Sequence, residues 1–266
     1  MRIGIITGSG TYALPELQAG EPEEVRTEWG TTLITRGMLA GVEVVHVSRH
    51  GEGHVRLSNQ VAHRANIAAL KSTGCDGVIA ATVCGAVDPS VELGSLICFD
   101  DLHFVTNRLG DGSICTFFSE PGDPRRGHWI YDDPFSPALR SAVLAASAEV
   151  GHPVRDGGCY GHVDGPRFNT KAEIRGLAAC GVTAVSQTAG PEIVLCGELE
   201  LPYALIGYAT DYANGVKDVA TPVEKLLELI AASTDVFARV LAAALPAVEA
   251  ATVAPAGIVY RFQSDG

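Results

Sequence analysis

Five short runs in this chain are almost wholly apolar, and each ends by releasing small polar residues. They cover residues 2–7 (RIGIIT), 42–47 (VEVVHV), 76–83 (DGVIAATV), 182–185 (VTAV) and 203–209 (YALIGYA). Runs of this length, rich in β-branched residues and bounded by turn residues, read as strands buried on both faces. Helical segments at 61–71 and 137–150 fall between them, the second with Pro137 at its start. Further helices are expected at 170–180, 191–200 and 221–244, with Asn169 or Thr170 and Glu173 forming a capping pattern for the first. Alternating strands and helices over 266 residues, 47% of them apolar, fit one large α/β domain spanning 1–266. A hairpin is expected from 33–36 to 42–47, turning at 39–41. Another strand is expected at 94–101, a surface connection at 21–32 and a long loop at 108–134.

The strand ends carry the chemistry. Gly8-Ser9-Gly10 follows the first, Arg49-His50-Gly51 the second, and Thr82-Val83-Cys84-Gly85 closes the third. Ser186-Gln187-Thr188 and Thr210-Asp211 follow the last two. In open α/β sheets, ligands bind beyond the carboxyl ends of strands, so these ends are candidates for one site. Arg49 offers a planar fork of donors to an anion and His50 a neighbouring donor, although Arg49 could equally pair with a carboxylate. The glycines at 8 and 10 would let backbone N–H groups turn toward a phosphate. The dinucleotide pattern GxGxxG is absent.

Net charge is -12, with 19 lysines and arginines, which argues against nucleic acid or an anionic membrane as partner. Seven cysteines, an odd number without a CxxC pair, suit a reduced compartment. The N-terminus reads as a strand rather than a signal peptide, and no apolar run is long enough to span a membrane, so a cytoplasmic protein is expected. His46, His50 and His54 are spaced by four, as metal ligands on one helix face would be. The alternation of 42–47 and the glycines at 51 and 53 oppose a helix there, so no metal is expected.

Several pieces in order carry a resemblance: IGII at 3–6 with GSG at 8–10, RHG at 49–51, RANIAALK at 64–71, CG at 84–85, GPRF at 165–168, AE at 172–173, PE at 191–192 and TDY at 210–212. Together they resemble the trimeric purine nucleoside phosphorylase and methylthioadenosine phosphorylase family, and most closely its methylthioadenosine branch. The resemblance implies a central mixed, twisted β-sheet flanked by helices, a homotrimer or a dimer of trimers, and phosphate-dependent cleavage of a purine nucleoside. Inorganic phosphate would be the co-substrate, without a metal or organic cofactor.

By position, the resemblance implies phosphate held by Ser9, Arg49, His50, Thr82, the backbone near Val83, and Thr188. It implies a purine near Phe168 and Asn169, hydrogen-bonded by Asp211, and a sugar against Gln187. A 5′ pocket would involve His54, Val223, Leu227 and, from a neighbouring subunit, His128. Three positions depart from the family pattern. Gln187 stands where methionine is usual, Ala213 where the methylthioadenosine branch has a second aspartate, and Asn169 where Ser or Thr is usual. Asp211 favours a 6-amino purine and Val223 an apolar 5′ substituent, so methylthioadenosine is the expected substrate. Methylthioinosine or a 6-oxopurine nucleoside is the alternative, ahead of a nucleoside hydrolase or a nucleoside-binding protein without activity.

Overall fold

The computed structural model describes residues 1–12, 14, 17–249 and 253–262. The chain opens with β1 (Arg2–Thr7) and, after the short β2 (Gln18–Ala19), runs through β3 (Glu23–Thr27), β4 (Gly30–Leu39) and β5 (Val42–Ser48). Helix α1 (His63–Ser72) leads to β6 (Gly77–Ala86), β7 (Leu96–Cys98), β8 (Asp101–His103) and β9 (Gly127–Ile130). Helix α2 (Pro137–Glu149) precedes β10 (Val154–Asp156) and β11 (Cys159–His162). The remainder alternates α3 (Lys171–Ala179), β12 (Val182–Ser186), α4 (Ala189–Glu198), β13 (Tyr203–Tyr212), α5 (Val223–Glu249) and β14 (Ile258–Arg261).

Among the described residues, twelve strands form one mixed sheet whose main path runs β10-β7-β13-β6-β1-β5-β4-β2. Its centre is parallel: β1 lies between β5 and β6, and β13 pairs with β6 on the other side. The apolar runs are continuous because both faces of this centre are covered. Val78 and Ala80 of β6 face one core with Ile67 and Leu70 of α1 and Ile193 of α4. Ile79 and Ala81 face the other, with Leu139 and Val143 of α2 and Val240 and Leu241 of α5. Six of the seven cysteines are buried and act as small core residues; Cys180 is exposed.

Four expectations are corrected. Residues 21–32 are not a bare connection, because β3 pairs antiparallel with the start of β4. Its half-exposed pattern hid a strand whose apolar contribution comes mainly from Val25 and nearby Trp29. The strand expected at 94–101 is two strands, because β7 pairs with β10 and β13 whereas β8 pairs with β11. The loop at 108–134 contains β9, which β14 joins from the far end of the chain. The last two helices also shift: α4 begins at Ala189, and α5 runs to Glu249 through Pro246. The hairpin at 39–41 is present, with Ala40 and Gly41 both at positive φ. Among the described residues, no helix is long and apolar enough to cross a membrane.

Candidate active site

The carboxyl ends of β1, β5, β6 and β13 open into one cavity of about 290 Å³, closed on another side by the end of β12. Ser9, Arg49, His50, Thr82 and Thr188 line one end of it, together with Val83 and Ser186. Arg49 follows β5 directly and its N–H bonds Thr7 O, which extends the parallel ladder by one residue. Its side chain is 1% exposed and is held by Glu192 of α4, with Nε–Oε1 at 2.5 Å and Nη2–Oε2 at 2.9 Å. Nη1 donates to Ala81 O at 3.2 Å. Among the described residues, three of the guanidinium's five N–H donors have partners; Arg49 lines the cavity, so the other two are candidates for a ligand there. Burial works against the charge, but the Glu192 carboxylate outweighs it and keeps Arg49 protonated.

This arrangement explains the glycines of 8–10 differently from the sequence reading. A Cβ at Gly8 would collide with Arg49 Nη1, so Gly8 makes room for the arginine. Gly10 has φ of 85° and lies where a Cβ would meet Ile230 O of α5 at 2.9 Å. His50 is driven down to about 4 by burial, reinforced by the Arg49 charge, so its imidazole is neutral near pH 7. Its Nδ1 lies 2.9 Å from Arg56 O. A carbonyl only accepts, so Nδ1 carries the proton and Nε2 is an acceptor. His46 points elsewhere, bonding Thr7 Oγ1 at 2.7 Å from within β5, so the three spaced histidines share no helix face.

Asp211 lines the same cavity farther along β6, paired with Gly85, whereas Arg49 bonds the carbonyl of Ala81. A register shift between Ala209 and Asp211 inserts Thr210 as an extra residue in β13 against β6. Such a bulge re-aims the side chain that follows it. Thr210 Oγ1 donates to Asp211 Oδ1 at 2.9 Å, and Gly85 keeps the carboxylate's other side open. Burial raises the Asp211 carboxyl above its ordinary value, only partly offset by that hydroxyl. Phe168, 63% exposed, and Asn169 flank the cavity near Asp211 and Asn214. They are carried by the N-terminus of α3, where Thr170 and Glu173 form a capping box. The Glu173 carboxylate also takes two bonds from Arg167, at 2.9 and 2.7 Å, and one from Asn169 Nδ2 at 3.3 Å. Thr170→Ala is expected to lower stability by about 1 kcal/mol, read as a fall in the urea midpoint.

A buried arginine with two candidate donors and, farther along the cavity, a desolvated carboxyl suit a substrate with an anion beside a hydrogen-bonding heterocycle. Residues 2–246 match the phosphorylase superfamily. The chain belongs to that family. It is 32% identical over 252 residues to a 6-oxopurine nucleoside phosphorylase of Pyrococcus furiosus, covering 93% of both chains. It is 37% identical over 236 residues to a probable S-methyl-5′-thioinosine phosphorylase of Xanthomonas campestris pv. campestris, covering 87% of this chain and 92% of that one. Its fold superposes on methylthioadenosine phosphorylase from Schistosoma mansoni, solved with adenine, with a TM-score of 0.84, 25% identity and coverage of 94% and 92%. The chain is therefore an enzyme of the phosphorylase kind, a pentosyltransferase.

Gln187, Ala213 and His54 line the cavity; His54 stacks on His50 with ring centroids 4.1 Å apart. Helix α5 presents Leu226 and Ile230 to it, whereas Val223 and Leu227 lie outside, 63% and 60% exposed. His128 also lies outside this chain's cavity, in β9 and edge-to-face with Phe262. Glu192, Ser58 and Asn214 were absent from the sequence-based set. Only Glu192 had a signal, an acidic residue in an apolar helix start.

Proposed function

We propose that this enzyme cleaves the N-glycosidic bond of a 5′-methylthio purine nucleoside with inorganic phosphate, methylthioadenosine being the first substrate. The observation that carries the reading is the single cavity lined by both the Arg49 guanidinium and the desolvated Asp211 carboxyl. Phosphate on Ser9, Arg49, Thr82 and Thr188 would have its charge met by the other two guanidinium donors and by hydroxyls. Neutral His50 would accept from a P–OH group through Nε2. The C1′–N9 bond breaks as a phosphate oxygen bonds C1′, and the sugar carries oxocarbenium-like charge between them. Catalysis is then mainly placement of the nucleophile and relief of charge on the departing base.

Asp211 in its protonated form donates to purine N7, so the base leaves neutral, and its other oxygen accepts from an N6 amino group. The products are free purine and 5-methylthioribose 1-phosphate. This chemistry needs no metal or organic cofactor. The apolar side chains of Leu226 and Ile230 suit a methylthio group better than a hydroxyl. A 6-oxo base is the second reading, favoured by Ala213 in place of a second carboxylate and compatible with the Asn169 amide, which can donate or accept. A homotrimer, in which a neighbouring copy covers the mouth near exposed Phe168, Val223 and Leu227, belongs to the same proposal.

The test is purine release from methylthioadenosine, methylthioinosine, adenosine and inosine, each with and without phosphate. Phosphate-dependent release, fastest from methylthioadenosine, is expected. Faster release from methylthioinosine would transfer the assignment to the 6-oxo base. Release indifferent to phosphate would make the enzyme a hydrolase and sink the proposal.

A further inference from the structure

Gln187 follows β12, immediately before Thr188, and both ends of its amide are bonded to protein. Nε2 donates to Arg167 O at 3.1 Å, and Oε1 accepts from Ser58 Oγ at 2.9 Å. The Arg167 carbonyl can only accept, which decides which end of the amide faces which partner. Gly165 sits against this bridge so closely that a Cβ there would collide with both Ser58 Oγ and Gln187 Oε1. Ser58 belongs to the loop that carries His54, and Arg167 to the loop that carries Phe168 and Asn169. Among the described residues, the hydrogen bonds that tie these two loops together run through this one amide. Ser58 and Gln187 also line a second cavity of about 270 Å³, so the bridge borders both it and the candidate active site.

We infer that Gln187 is a positioning residue that holds the purine-facing loop and the 5′-facing loop at one separation. This rests on the nucleoside reading above, because the two loops then grip opposite ends of one substrate. The family resemblance puts this side chain against the sugar, where a free amide would bond a hydroxyl. Here its bonds go to the protein, and a methionine in its place would make neither of them. The bridge makes no hydrogen bond to Arg49 or His50, so it acts first on nucleoside affinity; the contacts of His50 with Arg56 O and His54 pass a smaller effect to phosphate.

Gln187→Met keeps the length of the side chain and removes both bonds. It is expected to raise KM for the nucleoside about tenfold, the size of effect two ordinary hydrogen bonds support, with kcat and the KM for phosphate changed by less than about twofold. Ser58→Ala alone should raise the nucleoside KM by a smaller factor and add nothing to Gln187→Met, since it acts through the same amide. Additive effects of the two substitutions, or a fall in kcat at unchanged KM, would overturn the inference. A second readout needs no turnover: amide hydrogen exchange across 52–60 and 163–170 in the ligand-free protein. Exchange should quicken in both loops in Gln187→Met. Unchanged exchange defeats the bridge even in an active enzyme, whereas faster exchange in a protein inactive on every nucleoside defeats the proposed reaction and keeps the bridge.

Discussion

Glu192→Ala is expected to lower folding stability by about 3–5 kcal/mol, because it strands a buried guanidinium without its counter-charge. Arg49 and Glu192 are each 1% exposed, and the carboxylate accepts a further bond from Tyr203 Oη at 2.9 Å. Alanine removes three hydrogen bonds at once and leaves a void behind α4. Urea unfolding should show the midpoint fall with little change in slope. A buried ion pair is nonetheless weak support for stability, since a well-packed apolar pair of similar volume can replace it at little cost. The double substitution Arg49→Met with Glu192→Leu should therefore regain most of the stability that Glu192→Ala loses. It should not regain activity, because no charged donor faces the anion and only hydroxyls remain. That separation tests why the pair is kept. A Glu192→Ala protein within about 1 kcal/mol of the parent would show that the carboxylate does not hold the charge in place. A double variant still saturable by phosphate would show that Arg49 does not bind it.

The central sheet was legible because its strands are apolar on both faces, a pattern that length and turn residues alone distinguish from helix. RIGIIT and DGVIAATV need no partner in view to be read as buried strands, and their polar ends need only the rule that ligands sit beyond strand ends. What stayed hidden depends on pairings between distant residues. Arg49 and Glu192 are 143 positions apart, and nothing local to either names the other. The half-exposed β3 gave too few apolar residues to mark its alternation, and the break between β7 and β8 follows from a change of partner, not of composition. On α5 the apolar residues are dense enough that spacing cannot tell Leu226 from Leu227. Only the helix's rotation against β13 decides that Leu226 and Ile230 meet the cavity. Gln187 was visible as a departure, but its partners at 58 and 167 come from loops with no periodicity to read.

Asp211→Asn is expected to lower kcat/KM by about 10²-fold or more, the usual contribution of a positioned general acid. The amide preserves the shape of the carboxyl and can donate a hydrogen bond to N7, but it cannot transfer a proton to the leaving base. The same carboxyl sets a pH dependence whose sign follows from its burial. Desolvation raises the folded-state value above that of the unfolded chain. Below the unfolded value the group is neutral in both states. As pH rises through the folded value, the buried site must accept a charge, so its contribution to stability falls and the protonated acid is lost. The parent enzyme should therefore lose kcat/KM on the alkaline side through this group, while Asp211→Asn, slower throughout, should show no such limb. Rates measured across pH 5–9 at saturating phosphate would read both effects. An Asn variant that keeps the parent's alkaline limb would assign that limb to another group, and one that keeps the parent's rate would remove Asp211 from the chemistry.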